Sequence, residues 1–387
     1  SIDQNIWFTG GKVSLSSSLD FMKQLGSGGS RQFMSVPIAL QLTQPIFGVN
    51  NLKWNRRIEP VRYEEAKAAF ITATETVTMN AITYFFNLLS AKETLGTARQ
   101  NQVNADRLYE VAGAKRKMGQ ISENELLQLK LAALKARAAV TDAESNLNAH
   151  MFRLRSFLAI GNDLILEPVV PESAPNLKME YNQVLNKALE RNSFAHNIRR
   201  RQLEAEYEVA TARGNLRSVD LFANVGYTGL NKDLSPAYHN LLDNQVVEVG
   251  VKIPILDWGK RRGKVRVAKS NRDVTLSKIK KEQMDFDQDI FLLVEHFNNQ
   301  AQQLSIANEA DKIAQQRYKT SVETFLIGKI NTPDLNDAQN SKDDARQKHI
   351  NELYWYWYYY YQLRSLTLWD FQNNTPLEAD FEDIVKK

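Results

Sequence analysis

The sequence predicts an α+β protein in which paired amphipathic strands lead into very long helical hairpins, and in which this whole unit occurs twice. Three observations carry the prediction. Identical residues recur at one fixed spacing, apolar residues alternate in four separate segments, and glycine and proline are scarce between those segments. The 387 residues contain 17 Gly, 10 Pro and no Cys. Since Gly and Pro are the residues that most often end regular structure, long uninterrupted elements are expected.

The strongest pattern is a tandem repeat. Pro45 and Pro254 lie 209 residues apart, and one such spacing runs through the chain without any insertion. A single offset indicates duplication of one structural unit. The same spacing joins Arg57 to Arg266, Leu95 to Leu304, Tyr109 to Tyr318, Gly119 to Gly328, Leu126 to Leu335, Arg137 to Arg346 and Leu154 to Leu363. We expect a first repeat at 1–160, a linker at 161–178, a second repeat at 179–371 and a C-terminal tail at 372–387.

Each repeat is expected to contain a strand hairpin, at 8–47 and at 219–256. Apolar residues occupy one face of these segments and polar residues, such as Gln41 and Glu248, the other. Strands of this length and alternation are typical of a membrane barrel, but a soluble sandwich alternates in the same way. Four strands cannot close a barrel, so the membrane interpretation requires several chains. Its lipid-facing positions would be Ile38, Leu40, Leu42, Val247, Val249, Val251 and Ile253.

The strand hairpins lead into helical hairpins at 58–158 and 260–368. Their first helices are expected at 61–118 and 264–327, with Pro60 in a first turn, where proline is tolerated. A leading helix is predicted at 180–213, and a short strand at 164–170. The matching leading helix of the first repeat would precede residue 1, so either the chain is a fragment or that repeat has lost it.

The helical hairpins close at two similar turns. Gly119 and Gly328 supply the conformation that ends the first helix of each hairpin. The second helices are expected at about 123–158 and 333–368, and Ser122 and Asn331 are suited to cap them.

The composition also excludes several functions. Without Cys the chain has no disulfide scaffold, thiolate nucleophile or Cys-based metal site. No phosphate loop or nucleophile elbow is present, and the histidines lack metal-ligand spacing. We therefore expect no enzyme, no metal and no cofactor. A formal net charge of +4 gives no argument for nucleic acid. The sequence contains no run of eighteen apolar residues, so no membrane-spanning helix is predicted.

Longer motifs lie at the joints of each repeat. The strand-to-helix transitions are QPIFGVNNLKWNRR and VKIPILDWGKRRGKVR, and the helix tips are RKMGQISENELLQLKLAALKAR and FLIGKINTPDLNDAQNSKDDAR. With ALERN and ARGNLRSVDLFANVGY before the third strand, the chain resembles the TolC-like outer membrane efflux protein family over almost its whole length. Two positions depart from that family. Arg217 stands where a proline is usual, and Ile330 stands where some members have an arginine that latches the closed pore.

The resemblance implies an α+β membrane protein that is a homotrimer. Four strands from each protomer would form a twelve-stranded outer-membrane β-barrel, continued by a long α-helical coiled-coil barrel across the periplasm. Such proteins are passive exit ducts for efflux or type I secretion. The implied partners are a periplasmic adaptor (membrane fusion) protein, an inner-membrane transporter of the RND, ABC or MFS class, and outer-membrane lipid. The rival interpretation is a soluble coiled-coil scaffold or adhesin with a small β-sandwich.

Two sites follow from the resemblance. Asp334 and Asp337 match an aspartate pair at the periplasmic pore constriction. They lie three residues apart on one helix face, although Asp334 would also suit any helix as a first-turn acid. The tips match the surface that docks the adaptor, although they must also close the hairpins in any case. The tip residues are Met118, Gly119, Gln120 and Ile121 in the first repeat and Ile327, Gly328, Lys329 and Ile330 in the second.

Aromatic residues give two further expectations. The run Tyr354–Tyr361 is interpreted as helix packing rather than as a ligand-stacking surface, since it would cover all sides of a helix. Trp54 and Trp258 fit equally well an aromatic girdle beside the strands and ordinary packing.

Overall fold

A computed structural model describes residues 1–23, 25, 31–161, 164–171, 174–175, 177–217, 219–234, 236, 245–253 and 256–379. The chain divides into two compact units. The sheet unit combines Ser1–Ala66 with Ser193–Asp285, and the hairpin unit combines Lys67–Asn192 with Phe286–Lys387. Each unit therefore takes part of its structure from both repeats. No helix among the described residues is both long enough and apolar enough to cross a bilayer.

The sheet unit is built on one antiparallel sheet with the strand order β1-β2-β3-β4-β5. Four of its strands were expected, and the structure adds β1, which pairs with the outer edge of β2. A salt bridge of 2.9 Å between Lys12 Nζ and Asp3 Oδ2 joins these two strands. The strands are β1 (Ile2–Asn5), β2 (Lys12–Lys23), β3 (Arg31–Pro45), β4 (Asp220–Asn231) and β5 (Gln245–Lys252).

Three helical segments complete the sheet unit. They are the start of α1 (Asn51–Lys117), the whole of α4 (Ser193–Leu216) and the start of α5 (Lys260–Leu326). The Asn50 side chain accepts a hydrogen bond of 3.1 Å from the Lys53 N–H. Since this cap starts α1 ten residues before the expected position, Pro60 lies inside the helix and the first-turn prediction was wrong.

Charged pairs join these helices. Arg200 of α4 binds Glu65 of α1, with 2.6 Å between Nε and Oε2. Arg201 of α4 binds Glu282 of α5, with 2.5 Å between Nη1 and Oε2. The hydrogen bond from Arg200 lowers the pKa of Glu65. The helical part of the sheet unit is thus joined partly by ion pairs.

The expected leading helix at 180–213 is divided. α3 (Tyr181–Arg191) ends at Asn192, and α4 begins at Ser193. Asn192 has extended backbone angles, φ −69° and ψ 144°. Its side-chain Nδ2 donates a hydrogen bond of 2.6 Å to the Leu366 carbonyl. The break therefore has a tertiary partner, which no local propensity of the sequence reveals.

The hairpin unit contains two helical hairpins. One joins α1 to α2 (Glu123–Leu158), and the other joins α5 to α6 (Thr332–Thr367). Both turns follow the expected chemistry: Gly119 and Gly328 have φ values of 71° and 75°. Ser122 forms a capping box with Glu125, and Asn331 accepts a hydrogen bond of 2.9 Å from the Asp334 N–H. The predicted turns and caps are confirmed.

The aromatic run lies inside α6. Tyr356 and Tyr360 are fully buried, and Phe297 of α5 packs beside both. Tyr360 donates a hydrogen bond of 2.7 Å to Asp370 Oδ1, and burial raises the pKa of Tyr356 to about 12. The prediction that this run packs against helices is confirmed.

The ends of the hairpin unit differ from expectation in two places. Residues 164–170 form no strand, because their backbone pairs with no described neighbour, so the short strand predicted there is wrong. In the expected tail, β7 (Thr375–Pro376) pairs with β6 (Trp369–Asp370).

Candidate functional site

The sheet presents a continuous apolar face to its surroundings. Register alone creates it, because residues paired across antiparallel strands point to the same side. Leu40 of β3 pairs with Leu15 and with Val225, and Val225 pairs with Val247. Most of these side chains are exposed, and Val249 is 70% exposed. The exposed set includes Leu15, Ile38, Leu40, Val225, Val247, Val249, Val251 and Ile253, while Leu42 is half-buried.

The opposite face of the sheet is more polar. Ser14 pairs with Gln41, Gln41 with Asn224, and Asn224 with Glu248. A water-soluble sandwich would cover the apolar face with a second sheet. The described strands instead form one five-stranded sheet and a separate two-stranded pair. An uncovered apolar face with polar residues behind it is typical of a lipid-facing sheet.

The two helix tips lie together at one end of the hairpin unit. A buried cluster joins them: Leu108, Ala112, Leu129, Tyr318, Leu335 and Ala338. Ile121 and Ile330 are half-buried against this cluster, whereas Met118 and Ile327 are exposed. Gly119, Gln120, Gly328 and Lys329 are exposed as well. An open cleft of about 700 Å³ lies between the tips. The eight candidate tip residues therefore divide into six that are exposed and two that pack inward.

One member of the candidate acidic pair, Asp334, lines this cleft. Asp334 and Asp337 are both exposed on α6, whereas Leu335 and Ala338 of the same helix are buried. Asp337 Oδ2 accepts a hydrogen bond of 2.5 Å from Arg317 Nη2 of α5. Asp334 makes no ion pair within the described part of the chain. The two carboxylates thus share a face but differ in charge environment.

Comparison with known proteins agrees with this geometry. The family model described as outer membrane efflux protein matches residues 10–159 and 184–367. The chain belongs to the outer membrane efflux protein family. As a member, it is an outer-membrane channel protein that extends into the periplasm, and it is not an enzyme. A search of curated proteins finds no match.

Solved structures of other outer membrane proteins share this fold. The structure of CusC has a TM-score of 0.72 and 15% identity, with 92% of this chain and 83% of that chain covered. CmeC of Campylobacter jejuni has a TM-score of 0.69 and 18% identity, with 98% and 81% covered. VceC of Vibrio cholerae has a TM-score of 0.69 and 14% identity, with 92% and 86% covered. At these identities, the likeness concerns the fold alone.

The sequence gives no prediction for one residue of this site, Arg317, and it leaves two interpretations open for Trp54 and Trp258. Arg317 was not a candidate, although it lies eleven residues before Gly328, and Asp337 lies nine after it. Positions at similar distances from a hairpin turn come close together, and this signal could have found the pair. Trp54 packs on Tyr207 with ring centroids 5.7 Å apart, whereas Trp258 is 91% exposed. Trp54 thus packs within the chain, and the aromatic girdle stays a prediction for both residues.

Proposed function

We propose that this outer membrane efflux protein is the exit duct of a tripartite export system. In this proposal, a homotrimer places four strands per protomer in a twelve-stranded barrel, and solutes pass through it without energy input from the duct. An inner-membrane transporter of the RND, ABC or MFS class would supply the energy, and a periplasmic adaptor would connect it to the duct. The observation that supports this proposal is the exposed apolar face of the sheet, from Leu15 to Val251. Ser14, Gln41 and Glu248 lie on the opposite face. Small-molecule efflux and type I protein secretion both use such a duct.

The lipid contact of the duct is proposed for the exposed apolar face. Ile38, Leu40, Val247, Val249, Val251 and Ile253 supply exposed apolar surface for acyl chains, and Leu42 lies half-buried on the same face. Outer-membrane lipid is the occupant that matches this surface, because its acyl chains make no hydrogen bonds.

The constriction is proposed at Asp334 and Asp337. In a homotrimer, one narrow mouth would carry three copies of each carboxylate, and such a ring favours cations. The ion pair with Arg317 offsets part of the charge of Asp337, so Asp334 is expected to contribute more. Glu125 and Gln128 occupy the matching positions of the first repeat and provide a matched control.

A planar-bilayer experiment tests this assignment. Trimers of the unmodified chain should form pores selective for cations. Asp334→Ala should reduce that selectivity more than Asp337→Ala, and Arg317→Ala should increase it. The control Glu125→Gln removes a charge but can keep the capping box with Ser122, and it should leave the selectivity close to its original value. If the double variant Asp334→Ala with Asp337→Ala keeps the cation selectivity of the unmodified pore, the pair does not form the constriction. Absence of trimeric pores from the unmodified chain would overturn the duct itself.

Adaptor docking is proposed at the tips. The exposed apolar side chains of Met118 and Ile327 would provide the contact, next to Gln120 and Lys329, while Gly119 and Gly328 allow close approach of the backbone. Ile121 and Ile330 would support this surface from within. Met118→Glu with Ile327→Glu should leave the conductance of isolated pores unchanged and abolish export in whole cells. Normal export in that variant would contradict docking at these two residues.

A further inference from the structure

The second helical hairpin carries an open cleft of about 540 Å³, bordered mainly by α5 and α6. We call it the aromatic cleft. Its lining combines acidic, apolar and aromatic side chains, principally Asp289, Leu292 and His296 of α5 with Tyr359 and Gln362 of α6. A cleft of this size with a mixed lining is typical of a site for a small molecule.

Three rings form a column at the aromatic cleft. His296 and Tyr359 stack with ring centroids 5.8 Å apart and 12° between their planes. Tyr359 stacks in turn on Trp355, with centroids 5.5 Å apart and 28° between the planes. Tyr359 and Trp355 are half-buried, and His296 is exposed. The aromatic run of α6 therefore packs on one side through the buried Tyr356 and Tyr360 and keeps accessible ring surface on another.

The electrostatics of the aromatic cleft favour a positively charged ligand. The Asp289 side chain is exposed, and its carboxylate has no ion-pair or hydrogen-bond partner within the described part of the chain. No lysine or arginine is among the described residues that line the cleft. Aromatic faces also attract cations, through the quadrupole of the ring. An anion would be repelled by Asp289, whereas a cation with an apolar or aromatic body matches the whole lining.

The first repeat lacks this combination of residues. The 209-residue spacing relates Asp289 to Asn80, His296 to Asn87, Trp355 to Asn146 and Tyr359 to His150. The first repeat thus has one ring and no carboxylate at these positions, and it still forms a helical hairpin. Closing a hairpin therefore does not require the carboxylate or the ring column, which leaves both available for a ligand.

The aromatic cleft lies on the side of the hairpin that carries the candidate constriction. Tyr359 lies 22 residues after Asp337 on α6, and His296 lies 21 residues before Arg317 on α5. Both separations are close to about six helical turns, so the His296–Tyr359 stack lies on the same side as the Arg317–Asp337 ion pair. At 1.5 Å per residue, the stack is about 33 Å from that ion pair along the helices.

We infer that the aromatic cleft binds lipophilic organic cations with a planar aromatic body, as solutes of the proposed duct. Asp289 would balance the positive charge, the ring column would contact the aromatic body, and Leu292, which is 43% exposed, would contact its apolar part. The inference rests on the proposed function for the place of the cleft on the transport path, whereas the cleft itself lies within one chain. Binding is expected to be weak and rapidly reversible, because a duct conducts only solutes that it can release.

Ethidium, a planar aromatic cation, tests the site on the purified protein in a neutral detergent. Its fluorescence anisotropy should rise to saturation as protein is added, whereas fluorescein, a planar anion, should show no saturable rise. Tyr359→Leu removes a ring of the column and should weaken ethidium binding about threefold. Tyr359→Phe keeps the ring and should leave binding unchanged.

The carboxylate has its own matched pair of variants. Asp289→Asn changes an exposed side chain and should weaken ethidium binding about threefold. Asp344→Asn removes an exposed carboxylate of α6 that does not line the aromatic cleft, and it should leave binding unchanged.

A planar bilayer tests the place of the cleft on the transport path. Ethidium should reduce the current through pores of the unmodified chain. Asp289→Asn should require about threefold more ethidium for the same reduction, because its site binds the cation more weakly. Asp344→Asn should respond as the unmodified pore does.

Each other outcome overturns a definite statement. If the chain forms pores but ethidium shows no saturable binding, the inferred site is wrong and the duct stands. The same holds if Asp289→Asn and Tyr359→Leu both bind ethidium like the unmodified chain. If binding is as expected but the current does not respond to ethidium, the cleft does not lie on the transport path. If ethidium binds at the cleft and the chain forms no pores, the proposed duct fails and the binding site stands.

Discussion

The sheet and the helical hairpins place their apolar side chains in opposite ways. On the sheet, the apolar face of β3, β4 and β5 is exposed and the polar residues lie behind it. In the hairpins, apolar residues such as Leu335 and Phe297 are buried between helices and most charged residues are exposed. In the proposed duct, the sheet therefore faces lipid and the helical hairpins face water. Burial alone is a poor guide to stability here, because an exposed valine on the sheet and an exposed valine on a helix have different surroundings.

The largest expected effect lies in the hairpins. Leu335 is 1% exposed at the centre of the tip cluster. Leu335→Ala should lower the free energy of unfolding by about 2–5 kcal/mol, because it removes buried methyl groups and leaves a cavity. Its counterpart in the first repeat, Leu126, is half-buried, so Leu126→Ala should cost less. Denaturation of the detergent-solubilised chain, followed by the helical circular dichroism signal, measures both. Equal losses would show that the two tips are packed alike.

A charged residue on the sheet should have a comparable effect for a different reason. Val249→Arg should destabilise the folded protein in lipid by about 2–4 kcal/mol, the cost of an arginine on the lipid face near the bilayer midplane. Val103 of α1 is 63% exposed, and Val103→Arg should change stability by no more than about 0.5 kcal/mol. The folded fraction in vesicles at increasing urea gives both values. Similar results for the two valines would remove the difference between sheet and hairpins.

Helix capping gives a smaller effect. Asn331→Ala removes the side-chain acceptor for the Asp334 N–H and should cost about 1 kcal/mol. The substitution Asn331→Asp keeps an acceptor at the same position and should retain most of the stability. The measurement is the melting temperature of the α5–α6 tip, followed by hydrogen exchange of the amides after Asn331. Unchanged exchange in the alanine variant would contradict the role of this cap.

The smallest effect concerns pH, where two glutamates of α1 should respond with opposite sign. The hydrogen bond from Arg200 lowers the pKa of Glu65. Its contribution to stability is therefore present at neutral pH and is lost as the pH falls through the lowered pKa. Burial raises the pKa of Glu75, despite its ion pair of 3.2 Å with Arg364. The charged form of Glu75 is thus disfavoured by folding, and this penalty is relieved as the pH falls through the raised pKa.

Glutamine variants separate these two contributions. Glu65→Gln should lower the melting temperature at about pH 7 and weaken its decline towards about pH 4. Glu75→Gln should not lower the melting temperature at neutral pH, since glutamine has the shape of the carboxylate without its charge. A loss of stability in both variants at neutral pH would show that Glu75 depends on its ion pair with Arg364 more than on its burial.

Turns and helix caps are predictable from the sequence, because the residues that form them are close together along the chain. Gly119, Gly328, Ser122 and Asn331 all act within one turn, and their roles were predictable. The Asn50 side chain caps α1 at its actual start, so the helix begins earlier than Pro60 predicts. Asn50 and Pro60 predict different starts for the same helix. The structure shows that α1 continues through Pro60, although proline usually interrupts a helix.

Contacts between distant segments were not readable in the same way. The break at Asn192 depends on the Leu366 carbonyl, which lies 174 residues further along the chain. The Arg317–Asp337 pair depends on how α5 and α6 align beside their turn. β1 pairs with β2 through a register that four residues of sequence do not determine. Packing decides these partners. Sequence periodicity indicates which face of an element packs, but not what it packs against.

The sequence by itself determined the duplication, the strand and helix types, and the division of each strand into an apolar and a polar side. These properties follow from the spacing of residues along the chain, because side-chain direction has a period of two in strands and about 3.6 in helices. Only the tertiary structure decided which apolar faces are covered. It buries Leu335 and Ala338 but leaves Val249 and Leu131 exposed. Exposure depends on whether another segment of the chain packs on an apolar face, and periodicity does not show this.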